Sequence, residues 1–481
     1  MTNQQIIDHM GNGSLGTLRL PQKPCRSGQT DSHPTGSGLG TPLALRRLKH
    51  DRANNHIPAV YGIKKISLVM ARLLICLAPV CFINGTPAWG KESTAKSYTL
   101  QTIIDLALTH HPAIELGQGV IDEKQGVQVS ASAYPNPSLG LIGGHGVVLD
   151  PVGPTVTEVF VSFSQQLEWP RTRWARQDAA SAGVTSAEAG MEVTQLNVKA
   201  RVKQTFYELL LAQTLADLAS RLQNTVTGFE RAVKRRVESG EAPPFELVKV
   251  NVELLQAKKL VSQTQGKVRA NQATLDQLTA GNLGKAFSIT GDFEPVNSKL
   301  KEQDLIETAF QHHPEVRKLQ QLSEKANAQH LQERQSRVPD VTINGAYQRD
   351  AGREGFIGGV TIPLPLWSQR QGDIAKALGL RRQAEANLQE ARITLRRGII
   401  ENLQNARTAS AQIQTFEKGL LRQAKEAVRI ARTSFKFGEA SLLDVLDAQR
   451  VLWQTFQGYA QARFELSVAL TELERMVGRE L

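Results

Sequence analysis

The chain has 481 residues, of which 41% are hydrophobic and only 5% aromatic. That is thin for one compact core and suits long helices rich in Ala, Leu, Gln, Glu, Lys and Arg. The formal net charge of +11 invites a nucleic-acid partner, but residues 1–90 hold ten Lys/Arg against three Asp, leaving 47 basic and 43 acidic residues for the rest. So balanced a body has no electrostatic footprint for a phosphate backbone.

Residues 1–69 are rich in Gly, Ser, Pro and Asn without periodicity. They read as a disordered extension, or as residues ahead of a true start at Met70. The GSGLG run at 36–40 follows no predicted strand and is not taken as a phosphate loop. Residues 70–90 read as a secretory signal peptide. Arg72, with Lys64 and Lys65 upstream, supplies positive charge, and Leu73 to Ile83 is an apolar run too short to span a bilayer as a helix. Ala88 and Gly90 place small residues at the −3 and −1 positions of a cleavage site before Lys91. Ala78-Pro79-Val80 ahead of Cys81 makes a poor lipobox. Cys25, Cys76 and Cys81 all precede residue 90, so the predicted mature chain has no disulfide, thiolate metal site or cysteine nucleophile.

The remainder is written twice. Leu106-Ala107-Leu108-Thr109-His110-His111-Pro112 matches Thr308-Ala309-Phe310-Gln311-His312-His313-Pro314, and Ser239-Gly240-Glu241-Ala242 matches Phe437-Gly438-Glu439-Ala440. A period of about 200 residues marks a duplicated unit rather than a solenoid. The predicted repeats are 91–290 and 291–481, each a helix, two strands and two long helices. The first helix of each is predicted over 98–132 and 301–336. Strands follow at 138–149 and 155–167, and at 340–349 and 355–365. Val341, Ile343, Gly345 and Tyr347 alternate with Thr342, Asn344, Ala346 and Gln348, the period of a strand.

Long helices are predicted at 171–239 and 244–280, then at 368–437 and 441–478. No proline interrupts 171–238 or 368–437, and seventy helical residues span about 105 Å. Gly240 and Gly438 stand where helices end. Leu452, Phe456, Tyr459, Arg463, Leu466, Leu470, Leu473 and Val477 keep the 4-3 spacing of a coiled-coil seam, broken once by Arg463.

Strands of about ten alternating residues suit a transmembrane barrel. Four cannot close, and an open edge in lipid leaves backbone groups without partners. The chain is therefore expected to oligomerise: two copies give a filled eight-stranded barrel, three give twelve strands and a lumen. A soluble β-sandwich flanked by coiled coils is the competing fold.

The region 95–480 resembles the TolC family of outer-membrane efflux ducts, the outer membrane factors. The resemblance is carried by the duplicated halves, by Leu364-Pro365-Leu366 after the last strand, and by the tip sequence Gly438-Glu439-Ala440-Ser441-Leu442-Leu443-Asp444-Val445-Leu446-Asp447-Ala448. Its texture is similar to the heavy-metal, CzcC-like branch. The resemblance implies a mainly α protein with a transmembrane β part: a homotrimer with a twelve-stranded outer-membrane barrel continued by a helical periplasmic barrel. The implied partners are outer-membrane lipid, a periplasmic adaptor (membrane fusion) protein and an inner-membrane resistance-nodulation-division pump. Heavy-metal cations are the expected cargo. A drug-efflux or type I protein-secretion duct stays open, as does, more remotely, a soluble periplasmic scaffold or adaptor.

In a duct the chemistry is charge placement. Asp444 and Asp447 lie three apart on one helix face, at positions that match the family's periplasmic entrance. Threefold symmetry would make each a carboxylate ring that favours cations. Glu246 and Lys249 occupy the equivalent places in the first repeat, and Lys249, which departs from the carboxylate pattern, could pair with Asp447 or Asp444 across the seam. Helix-start acids are also favoured by the helix dipole alone. Arg236, Gly240, Glu241, Phe435, Gly438 and Glu439 form the tips expected to meet the adaptor. The pairs His110-His111 and His312-His313 precede prolines; adjacent helical residues point about 100° apart, so they read as turn residues rather than a metal site. With no Walker, zincin or nucleophile-elbow motif, neither a catalytic site nor a cofactor is expected, and energy must come from a partner.

Overall fold

The computed structural model describes residues 96–149, 152–284, 287–295, 300–350 and 352–481. The signal segment and the extension before it lie outside these residues. The first repeat comprises β1 (Lys96–Thr99), α1 (Leu100–His110), α2 (Pro112–Ser132), β2 (Ser138–Leu149), β3 (Val152–Leu167), α3 (Pro170–Glu238) and α4 (Pro244–Leu278). The second comprises β4 (Phe287–Thr290), α5 (Glu302–His312), α6 (Pro314–Gln335), β5 (Val341–Asp350), β6 (Arg353–Thr361), α7 (Gln371–Thr415), a π turn (Phe416–Leu420), α8 (Leu421–Lys436) and α9 (Leu442–Val477). At 69 residues, α3 is a rod of about 100 Å.

The single helices predicted over 98–132 and 301–336 are each two. Pro112 and Pro314 lack an amide N–H and disfavour helical geometry in the residue before them. His111 and His313 accordingly adopt ψ 126. Each then caps the helix that follows: His111 Nδ1 accepts the Ala113 N–H at 3.1 Å, and His313 Nδ1 accepts the Glu315 N–H at 3.0 Å. The predicted first helix also gives up its opening residues to β1, which pairs in parallel with β4 of the other repeat. In the second repeat, the last strand ends at Thr361 rather than 365, since Pro363 and Pro365 have no hydrogen to donate to a ladder. The helix predicted over 368–437 begins at Gln371 and carries the π turn, which absorbs one extra residue. There Phe416 packs edge-on to Tyr459, in space left by Gly458; a Cβ on that glycine would lie 2.9 Å from the Phe416 ring.

Burial is concentrated where α1 and α5 cross the rods. Ile103, Ile104 and Ala107 pack with Val202, Phe206, Tyr207 and Leu275. In the second repeat Leu305, Ile306 and Ala309 pack with Ile399, Leu403, Leu473 and Val477. The seam of α9 holds, and its break is accommodated: Arg463 pairs with Asp292 at 3.0 Å and lies over the Phe293 ring. Buried Tyr207 donates to Glu294 at 2.6 Å, and burial with that carboxylate pushes its phenol above its ordinary value.

His313 is 5% exposed and ties α6 to the end of α9. With Nδ1 accepting, its proton sits on Nε2, which donates to the Arg475 carbonyl at 3.1 Å. Burial holds the imidazole below its usual value of 6.5. The unfolded chain therefore takes a proton before the folded one does. This contribution is complete above about pH 6.5 and is lost as pH falls toward the folded value. His313→Asn keeps a cap acceptor and a donor without the titration. We expect thermal melts of the parent to lose more stability between about pH 7 and pH 5 than those of the variant; parallel curves would exclude the assignment.

The sheet order is β2-β3-β5-β6, antiparallel throughout. The register sorts side chains by face. Rows Leu139–Phe163–Gly345–Gly358 and Leu141–Val161–Tyr347–Phe356 share one face, which Ile343 and Val360 extend. Leu141 is 71% and Phe356 88% exposed. The other face is mixed: Ile142, Phe160 and Ile357 stand among small and polar residues, where Ser138 meets Ser164 at 2.7 Å and Asn344 donates to Thr361 at 2.8 Å. A strongly apolar face backed by a mixed one that carries the serines, threonine and asparagine suits a membrane barrel wall. Among the described residues β2 and β6 have no outer neighbour in the sheet. No helix among the described residues is long and apolar enough to cross a membrane.

Candidate functional site at the helical tips

Each hairpin of rods turns on a left-handed glycine, Gly240 at φ +78° and Gly438 at φ +80°, a conformation costly for any residue with a Cβ. The turns close alike: Glu241 N–H and Ala242 N–H reach the Arg236 carbonyl at 2.8 and 3.1 Å, while Glu439 N–H and Ala440 N–H reach that of Ser434 at 2.9 and 3.3 Å. Behind the tips, Val226, Val233, Val250 and Leu442 pack the two hairpins together. The Arg236 guanidinium lies 5.2 Å from the centre of the Phe435 ring, so one tip residue from each repeat meets the other. Glu241 and Glu439 stay exposed.

The returning helices α4 and α9 start differently. Ser441 and Asp444 form a capping box: the Ser441 hydroxyl accepts the Asp444 N–H, and Asp444 Oδ2 accepts the Ser441 N–H at 2.8 Å. The Ser441 hydroxyl also donates to Asp444 Oδ2 at 2.8 Å, and this bond, with the one from the Ser441 N–H, holds the Asp444 carboxyl below the usual carboxylate range. At the equivalent start of α4 stands Pro243, with no N–H to give. There Glu246 Oε2 is buried and has no hydrogen-bond partner.

Asp447, one turn beyond Asp444, pairs with Arg450. The expected pairing with Lys249 does not form within the chain. Arg450 lies three residues along the same helix face, within reach at once, while the Lys249 ammonium sits over the Phe245 ring, 4.6 Å from its centre. Both groups nevertheless line one cleft of about 750 Å³ between α4 and α9, together with Phe245, Leu446, Arg450 and Trp453. The sequence pointed to the carboxylates and Lys249 but not to Arg450, Phe245 or Trp453. The i, i+3 spacing of Asp447 and Arg450 was the available signal. Among the described residues no group of three or more His, Cys, Asp and Glu is placed to hold a metal ion. What the site offers is a mixed-charge cleft where the two hairpins meet.

Rod hairpins with glycine tips at one end, and a sheet with one apolar face and free edges at the other, define a subunit of a membrane duct. The family described as "Outer membrane efflux protein" matches over residues 103–281 and again over 305–479, and the chain belongs to that family. Its place is therefore the outer membrane, and its role is that of a conduit without catalysis. The chain is 26% identical over 396 residues to the cobalt-zinc-cadmium resistance protein CzcC of Cupriavidus metallidurans, covering 82% of this chain and 93% of that one. It is 20% identical to the outer membrane protein TolC of Vibrio cholerae over 71% of this chain and 82% of that one. Among solved structures, CusC superposes with a TM-score of 0.69 at 17% identity, covering 80% of this chain and 93% of that one.

Proposed function

We propose that the chain is one third of a homotrimeric duct that carries heavy-metal cations outward. It receives them from an inner-membrane resistance-nodulation-division pump through a periplasmic adaptor protein docked at the Gly240 and Gly438 tips. The observation that carries the assembly is the open sheet. A hydrocarbon solvent offers no partners to the edges β2 and β6, so β6 of one copy must pair with β2 of the next. Three copies give twelve strands, enough for a lumen, which the mixed face with its serines, threonine and asparagine would line. The α rods continue the tube into the periplasm, and the tips become its far mouth. The metal cargo is supported by likeness to CzcC along nearly the whole of that protein. It is also supported by the carboxylates at the mouth, whose rings would favour cations.

Two measurements test this. The detergent-solubilised mature protein should sediment as a trimer; a monomer would remove the duct assembly. A strain lacking the protein should become sensitive to cobalt, zinc or cadmium salts and recover with the gene restored. Sensitivity to hydrophobic drugs alone would place the chain with the drug-efflux ducts instead.

A further inference from the structure

We propose that the cleft between α2, α3 and α6, about 360 Å³ in volume, is a binding site for a small, soluble, multivalent anion of the phosphate class. The proposal depends neither on the trimer nor on the cargo. The floor of the cleft is nearly bare of side chains: Ala179, Ala180 and Gly183 of α3, closed by Ala131 of α2, all buried. A Cβ built on Gly183 would meet only the Lys325 Cδ, at 3.9 Å. Over this floor long side chains converge from three helices: Lys124 from α2, Arg176 from α3 and Lys325 from α6. Ser130, Gln329 and Gln332 complete the polar lining. All six groups can donate a hydrogen bond, and among the described residues no carboxylate lines the cleft. The chain beyond residue 90 is otherwise nearly balanced in acids and bases, so a lining this one-sided selects for negative charge.

Most of these donors are uncommitted. Arg176 is the exception: it donates to the Ala131 carbonyl at 3.1 Å and pairs with Glu168, so it shapes the cleft without adding free charge. Lys124 meets only the exposed Glu123, its neighbour in sequence, a contact worth little and easily exchanged. Lys325 has no ion-pair or hydrogen-bond partner among the described residues, whereas Lys318, two turns earlier on the same helix face, pairs with Glu315 at 3.2 Å. The side chains of Ser130, Gln329 and Gln332 make no hydrogen bond among those residues either. Two ammonium groups, two amides and a hydroxyl around an open floor suit an anion with several oxygens, because hydrogen bonds between ionised partners are the strong ones. The volume has room for two linked phosphates. A lipid headgroup fits less well. Val127 is the one apolar lining side chain larger than alanine, so an acyl chain would have no path. Gly183 also lies thirteen residues past Pro170, where α3 begins, which is about 20 Å along the rod.

The test is equilibrium dialysis of radiolabelled pyrophosphate against the full mature chain in a non-ionic detergent, at fixed ionic strength and without divalent cations. The parent should bind saturably, one pyrophosphate per chain. Lys124→Gln/Lys325→Gln should weaken binding at least tenfold. Gln329→Leu/Gln332→Leu, which removes amide donors and leaves the charge alone, should weaken it at least threefold. Lys258→Gln/Lys267→Gln makes the same change of charge on exposed positions of α4 and should stay within twofold of the parent. Thermal melts of all three variants should match the parent, which separates lost binding from lost structure. Phosphatidylglycerol added to the micelles should not displace the label; displacement would make the occupant a lipid headgroup and overturn the soluble assignment. Equal weakening in both lysine pairs would mean diffuse attraction and no site. Absence of saturable binding by the parent, or unchanged binding in both cleft variants, overturns the proposal outright and leaves the duct reading untouched.

Discussion

Phe356→Arg should all but abolish the assembled protein in outer-membrane fractions, whereas Ile357→Arg, one residue along, should leave assembly intact. The two side chains differ only in the face they occupy. Phe356 sits in the row Leu141–Val161–Tyr347–Phe356, and Ile357 in the row with Ala346, Ser162 and Gly140. In a closed barrel the first row meets acyl chains and the second meets water in the lumen. A lipid-facing arginine costs about 2–4 kcal/mol near the bilayer midplane. Three copies raise this to about 6–12 kcal/mol per trimer, comparable to the whole stability of an ordinary domain. A lumenal arginine has water to solvate it, and its effect should be confined to conductance. The measurement is heat-modifiable mobility of membrane extracts alongside the soluble fraction. Tolerance of Phe356→Arg together with loss of Ile357→Arg would reverse the assignment of the faces.

The contrast between neighbours also shows what was legible before any coordinates. The alternation from Val341 to Gln348 disclosed a strand, and the paired glycine turns disclosed the tips, because both signals are local. The parallel pair β1–β4 was not legible. Four-residue strands that pair across nearly the length of a repeat leave no periodicity to read, and only packing under Phe206 and Tyr207 brings them together. The π turn was hidden for a similar reason, since it depends on Phe416 filling the space beside Gly458 on another helix. The breaks at Pro112 and Pro314 are different: the prolines are a local signal that a helix restarts there, present in the sequence itself. At the mouth, the spacing of Asp444 and Asp447 was visible from sequence. Which partner each meets was not: Ser441 takes Asp444, Arg450 takes Asp447, and Lys249 goes to the Phe245 ring, a ranking only geometry supplies.

That arrangement sets the second large effect. Per chain the proposed mouth would gather three acids, Glu246, Asp444 and Asp447, and two bases, Lys249 and Arg450, a net of −1. Replacing Asp444 and Asp447 together makes it +1, so in a trimer the ring charge passes from −3 to +3. Asp444→Asn with Asp447→Asn should invert the ion preference in planar bilayers, moving the reversal potential under a salt gradient from the cation side to the anion side. It should also raise conductance, because Arg450 loses the carboxylate that now holds it. Asn is chosen over Ala for the first position since Asp444 also caps α9 through Ser441. Loss of a cap costs about 0.5–2 kcal/mol, and the resulting fraying would mimic an open gate. Asp444→Ala with Asp447→Ala should therefore leak at least as much, with a measurable loss of stability that the Asn pair avoids. If reversal potential and conductance are both unchanged in the Asn pair, the carboxylates are helix-start acids and nothing more, and the narrowest part of the duct lies elsewhere.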